Sequence, residues 1–187
     1  KELKETGIAE KIVKLSKNGT IIFGICGGYQ MLGGKIEDPD KLEGNIGEIS
    51  GLGLLDLTTV MEKSKNTLQY YGQILLDQGL FKGLYGKTIN GYEIHQGITN
   101  GKEKGIFLDG ENYINGVIKN NIIGCYIHGI FDNTEFTRGF LNNIRSEKGL
   151  DGIDATISFE EFKEKEYDKL AKVVEESVDM EKLYKII

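Results

Sequence analysis

Residues 20–23 read Thr-Ile-Ile-Phe, and just beyond them the chain reaches Cys26 in the string Gly24-Ile25-Cys26-Gly27-Gly28. A short run of β-branched and aromatic residues bounded by glycines suits a strand buried on both faces, as in a parallel sheet covered by helices. Residues 27–32 are helix-compatible, so the glycines mark a sharp turn from strand into helix. Upstream, Leu3, Ile8, Ile12, Val13 and Leu15 recur at roughly helical spacing, and Asn18-Gly19 supplies a stop. Helix, strand, tight turn and helix in that order predict α/β winding.

The remainder fits one domain of that class, since 187 residues are enough to close a single hydrophobic core. Strand signals separated by glycine turns cover residues 54–60, 66–75, 88–94 and 111–117, which predicts an antiparallel excursion in the middle of the chain. Residues 121–129 form another short strand that ends at His128. A helix is predicted over 133–145 from Phe136, Phe140, Leu141 and Ile144, with Asp132 and Asn133 as its caps. Beyond residue 158, apolar residues among many Lys and Glu predict one or two surface helices, opened by a Ser158–Glu161 capping box.

Charge excludes some functions. The chain has 23 basic and 29 acidic residues, a net charge of −6, so no global field draws it to nucleic acid or to an anionic membrane. No apolar run approaches the roughly 18 residues of a membrane span, and Lys1-Glu2-Leu3-Lys4 is not a signal peptide, so a cytoplasmic location is expected. The chain holds 2 Cys and 2 His, without CxxC or HxxxH spacing, and no metal site is expected.

Two readings of Cys26 stand side by side. It is either a small buried hydrophobe or a nucleophile on an elbow, where a tight turn projects the thiol, the helix N-terminus favours thiolate and neighbouring amides can hold an oxyanion. A cysteine nucleophile needs a base, and the candidates are His95 in Gly91-Tyr92-Glu93-Ile94-His95 and His128 in Tyr126-Ile127-His128-Gly129. His128 is the better placed, because ligands of open α/β sheets bind at the C-terminal ends of strands. Cys125 reads as a core residue.

Cys26 and its surroundings also resemble the G-x-C-x-G-x-Q-x-L motif of class I glutamine amidotransferases, at Gly24, Cys26, Gly28, Gln30 and Leu32. With Ile-Glu-Asp-Pro (36–39), Gly-Leu-Gly-Leu-Leu-Asp (51–56), Gly-Tyr-Glu-Ile-His (91–95) and His-Gly-Ile-Phe-Asp-Asn (128–133), nearly the whole chain is similar to the amidotransferase domain of the cobyric acid synthase family. That resemblance implies a flavodoxin-like three-layer αβα sandwich. It implies Cys26 as nucleophile, His128 as proton shuttle, Gly27 as an oxyanion donor and Gln30 as a residue of the glutamine pocket, where the alternative is an exposed helix residue. Glu93 and His95 stand as substrate-contacting or as hydrogen-bonded structural residues.

The resemblance further implies glutamine as substrate and no cofactor in this domain. ATP and Mg²⁺ belong to a synthetase domain that uses the ammonia to amidate adenosylcobyrinic acid a,c-diamide at four carboxylates. Related amidotransferases act on cobyrinic acid or on a lipid-linked peptidoglycan precursor, and a catalytically silent scaffold is the remaining alternative. Two departures follow. Most triad members carry Glu two residues after the histidine, where this chain has Ile130, so a Cys26–His128 dyad is expected, with the two side chains within hydrogen-bonding distance. The family's domain also begins upstream, so residues 1–187 are expected to be an N-terminally truncated amidotransferase domain, lacking its first strands and the synthetase domain, with little activity alone.

Overall fold

The structure, a computed structural model, describes residues 2–154 and 158–185. In chain order it contains α1 (Glu2–Glu5), α2 (Ile8–Lys17), β1 (Ile22–Ile25), α3 (Gly27–Leu32), β2 (Lys35–Glu37), β3 (Glu48–Ser50), β4 (Leu57–Ile74), β5 (Thr88–Gly101), β6 (Lys104–Asp109), β7 (Ile114–Lys119), β8 (Ile122–Cys125), α4 (Thr134–Glu147), α5 (Phe159–Ser177) and α6 (Met180–Tyr184). The strands form one mixed sheet in the order β1-β8-β7-β6-β4-β2-β3, with β5 paired to β4. The β1–β8 and β2–β4 pairs are parallel, and the excursion from β4 through β8 is antiparallel.

β8 shows why its residues are apolar on both faces. Ile123 and Cys125 join a core with Phe107, Phe136 and Phe140, while Ile122 joins Tyr29, Leu32 and Tyr126 on the other side. Since strand side chains alternate, the two cores are the two faces of the sheet, one carrying α4 and the other α3. The predicted α/β winding is therefore present.

Several elements differ from the sequence reading. The helix predicted over 3–17 is broken at Gly7, whose φ of 76° is left-handed. The first strand lies two residues later than predicted, because its ladder is set by Ile22 facing Ile122 and Ile25 facing Cys125. The two strands predicted over 54–60 and 66–75 merge into a single strand, β4 (Leu57–Ile74), interrupted between Val60 and Lys65 by a register shift opposite Gly97. Asn133 occupies the N-cap position of α4, yet its side chain does not cap the helix. It accepts from the Asn90 N–H (2.9 Å) and donates to the Asn90 carbonyl (2.8 Å), a reciprocal pair that takes the atoms a cap would need. The Ser158–Glu161 capping box is formed as predicted.

Gly24 is required by the packing of α3 on β1. A Cβ there would lie 2.6 Å from Leu32 Cδ1 and 2.8 Å from the Gly28 backbone. Gly24→Ala should therefore destabilise the protein by about 1–3 kcal/mol through overpacking, read as a lower urea midpoint at unchanged slope.

Candidate active site

β1 and β8 run parallel, and their C-terminal ends deliver Cys26 and, three residues past Cys125, His128. The Cys26 N–H donates to the Cys125 carbonyl at 2.9 Å, which extends the ladder by one rung before the chain turns. Cys26 then takes φ 53° and ψ −116°, a backbone that few non-glycine residues adopt, and α3 begins at Gly27. Such strain persists only where the surroundings over-determine it. Its effect here is to lift the thiol off the sheet at the first turn of α3, where backbone N–H groups have no partner within the helix. Neither Gly27 nor Gly28 has anything within 4 Å of the place a Cβ would occupy, so the space beside the thiol is open.

That space is a cleft of about 630 Å³. Cys26, Gly27 and Gln30 form one wall and Ile94, His95 and Gln96 of β5 the other. The thiol Sγ lies 3.4 Å from the Ile94 carbonyl, to which it donates. Gln30 is partly buried, and its amide donates to the Gln96 carbonyl (3.0 Å) and to the Tyr126 hydroxyl (3.2 Å), tying α3 to β5 and to the chain beyond β8. The rim carries charges of both signs, including Glu43, Glu48 and Lys65.

His95 lines the cleft, but its nitrogens are engaged. Nδ1 lies 3.2 Å from the Gly97 carbonyl, Nε2 lies 3.0 Å from Glu93 Oε2, and the ring stacks on Tyr126 with centroids 3.7 Å apart. Glu93 is 1% exposed and does not line the cleft. Its carboxylate accepts from Asn115, from Asn66 at 3.3 Å and from His95, so a buried charge is enclosed by protein groups and reaches the cleft only through His95.

His128 is different. Its Nε2 is buried and has no hydrogen-bond partner. The hydrogen bond expected between Cys26 and His128 is not formed, since the thiol is turned to Ile94 instead. Both nitrogens of His95 are thus engaged, whereas His128 Nε2 is not, although His128, unlike His95, does not line the cleft. Ile130, two residues on, is completely buried and apolar.

Tyr126, Tyr92, Asn66, Asn115 and the Ile94 and Gln96 carbonyls also shape the site, and the sequence reading named none of them for it. Tyr126 carried one usable signal: it lies two residues before His128 and on the face opposite Cys125. Among the described residues no group of three or more His, Cys, Asp or Glu could hold a metal ion.

The two thiols should separate cleanly. Burial pushes the Cys125 thiol up to about 12, so it stays neutral at any pH near 8, and it is wholly buried besides. An aromatic disulfide reagent at pH 8 should titrate one thiol in the native protein, lost in Cys26→Ala, and two after denaturation.

Known proteins provide an independent comparison. Residues 1–136 match the CobB/CobQ-like glutamine amidotransferase domain. The chain is 45% identical over 198 residues to a cobyric acid synthase of Dehalococcoides mccartyi, covering 99% of this chain and 38% of that protein. It is 44% identical over 195 residues to that of Clostridium botulinum, with 99% and 38% covered, and 41% identical over 204 residues to that of Caldanaerobacter subterraneus, with 100% and 39% covered. The chain thus spans about two fifths of the length of these relatives. Among solved structures, PurLQS from Thermotoga maritima superposes with a TM-score of 0.54 at 17% identity, over 75% of this chain and 68% of that one. A second, a glutamine amidotransferase, gives 0.50 at 16% identity over 75% and 70%, so the fold is that of the class I glutamine amidotransferases. The chain belongs to the CobB/CobQ-like glutamine amidotransferase domain family.

Proposed function

We propose that the chain is the glutaminase module of a cobyric acid synthase, acting in cobalamin biosynthesis with Cys26 as nucleophile and His128 as proton shuttle. The observation that carries this reading is the strained elbow at Cys26, which projects a thiol into an open cleft beside the N-terminus of α3. The relatives' name supplies the acceptor side of the proposal.

In this reading the Cys26 thiol gives its proton to His128 Nε2, and Sγ bonds to the side-chain amide carbon of glutamine. The oxyanion that develops is held by the Gly27 N–H at the start of α3. As the C–N bond breaks, His128 returns the proton to the departing nitrogen and ammonia leaves, with the γ-glutamyl group on sulfur as a thioester. Water, deprotonated by His128, attacks the thioester; its C–S bond breaks, glutamate is released and the proton ends on Cys26. Gln30 and His95 shape the cleft, and the mixed charges of Glu43, Glu48 and Lys65 suit the ammonium and carboxylate of an amino acid.

The whole chain serves as one amidotransferase domain, and the ammonia passes to a synthetase portion that uses ATP and Mg²⁺ on the corrinoid carboxylates. Cytoplasmic operation fits a chain in which no described helix is long and apolar enough to cross a membrane.

Cys26→Ala tests the reading. In the complete protein, glutamate release should fall to the background rate while amidation with added ammonium salt continues, because the acceptor chemistry lies elsewhere. Equal loss of both activities would assign Cys26 a structural role, and undiminished glutamate release would remove it from the mechanism.

A further inference from the structure

A proton shuttle works only if its ring is held in one orientation, which is why a base is commonly fixed by a third group. Here no protein group hydrogen-bonds to the His128 ring among the described residues, and the position two residues on is the buried Ile130. Among the described residues, the one ring that His128 contacts is that of Tyr92 of β5. The two rings stack with centroids 5.1 Å apart and planes 11° apart.

The backbone enforces this pairing. The His128 N–H donates to the Tyr92 carbonyl at 2.8 Å, and the Tyr92 N–H donates to the His128 carbonyl at 3.1 Å, an isolated antiparallel bridge. On one side of Tyr92, Gly91 permits the close approach, because a Cβ there would meet Ile127 Cγ2 at 2.5 Å. Next to it, Asn90 is clamped by the Asn133 side chain through both its N–H and its carbonyl. Three consecutive residues of β5 are thus fastened to residues 127–133. Tyr92 is 43% exposed, so it adds little to the core, and its hydroxyl makes no hydrogen bond among the described residues. What the ring does contribute is a flat surface against one face of the imidazole.

We propose that Tyr92 is a positioning residue for His128: its ring fixes the plane of the imidazole, the task a hydrogen-bonded carboxylate performs for other catalytic histidines. The proposal rests on His128 being the proton shuttle. Stacking replaces the hydrogen bond because it constrains the same rotations while leaving both ring nitrogens free for proton transfer.

The test uses 6-diazo-5-oxo-norleucine, a glutamine-shaped diazoketone. Its diazo carbon takes up the thiol proton, N₂ leaves and Sγ bonds to that carbon, so the inactivation rate constant kinact reports proton transfer from Cys26 while KI reports binding. Tyr92→Leu, and Tyr92→Thr as a second strand-compatible variant, should lower kinact roughly 10- to 100-fold with KI and the melting temperature unchanged, as expected for a misplaced catalytic group. Tyr92→Phe, which keeps the ring, should restore kinact to within about threefold, because the ring and not the hydroxyl makes the stack. Parental kinact in Tyr92→Leu and Tyr92→Thr, a loss confined to KI, or a Tyr92→Phe protein as slow as Tyr92→Leu would each overturn the proposal. His128→Asn separates the two levels: a slow His128→Asn beside fast Tyr92 variants removes Tyr92 alone, whereas parental kinact in His128→Asn removes the shuttle and this proposal with it.

Discussion

Ile25 and Cys125 face each other in register across β1 and β8, and the Cys26 N–H adds one more bond to the Cys125 carbonyl before the chain turns. Because the two strands are parallel, their C-terminal ends lie side by side, and the residues that leave them must share one edge of the sheet. A slip of one residue would exchange the faces of β8, sending Ile123 and Cys125 out of one core and Ile122 out of the other. Two packed faces therefore hold the register that places the site. The left-handed backbone of Cys26 is stabilised by the same arrangement, since β1 is packed before the turn and Tyr29 and Leu32 of α3 are packed after it.

β5 forms the second half of the site, and it does so largely with its backbone. The carbonyls of Ile94 and Gln96 face Cys26 and Gln30, and Tyr92 bridges to His128. Between them the buried Glu93 points away from the cleft into a shell of Asn66, Asn115 and His95. Burying a carboxylate costs several kcal/mol unless donors surround it, and the donors here come from β4, β5 and β7, so the charge ties three strands to the back of the cleft. The strained elbow at the front and the satisfied carboxylate behind it are complementary: one turns a thiol into the cleft, and the other keeps its wall in register.

Local signals account for the elements the sequence predicted. The glycines of 24–28, the apolar spacing of α4 and the Ser158–Glu161 box each act within a few residues, and each is found where it was predicted. β2, β3 and β6 were not predicted, because short strands with mixed exposure gain their stability from partners elsewhere in the sheet. β4 read as two strands because residues 62–69 are exposed and carry polar groups, yet β5 pairs with most of its length. Asn133 read as a helix cap from its position, and lost that role to a backbone partner 43 residues away.

The sequence by itself determined that a cysteine would stand at a strand-to-helix elbow, because strand apolarity, glycine freedom and helix start are properties of neighbouring residues. It also marked His128 as the strand-end histidine and offered His95 as the other candidate. Only the tertiary structure gave the two different surroundings, engaging both nitrogens of His95 and leaving His128 Nε2 without a partner among the described residues. That difference depends on Glu93 finding Asn66 and Asn115, which lie 27 and 22 residues away, and on β5 crossing to His128. Hydrogen bonding and stacking between residues so far apart are set by how strands pack, which no local pattern of residues encodes.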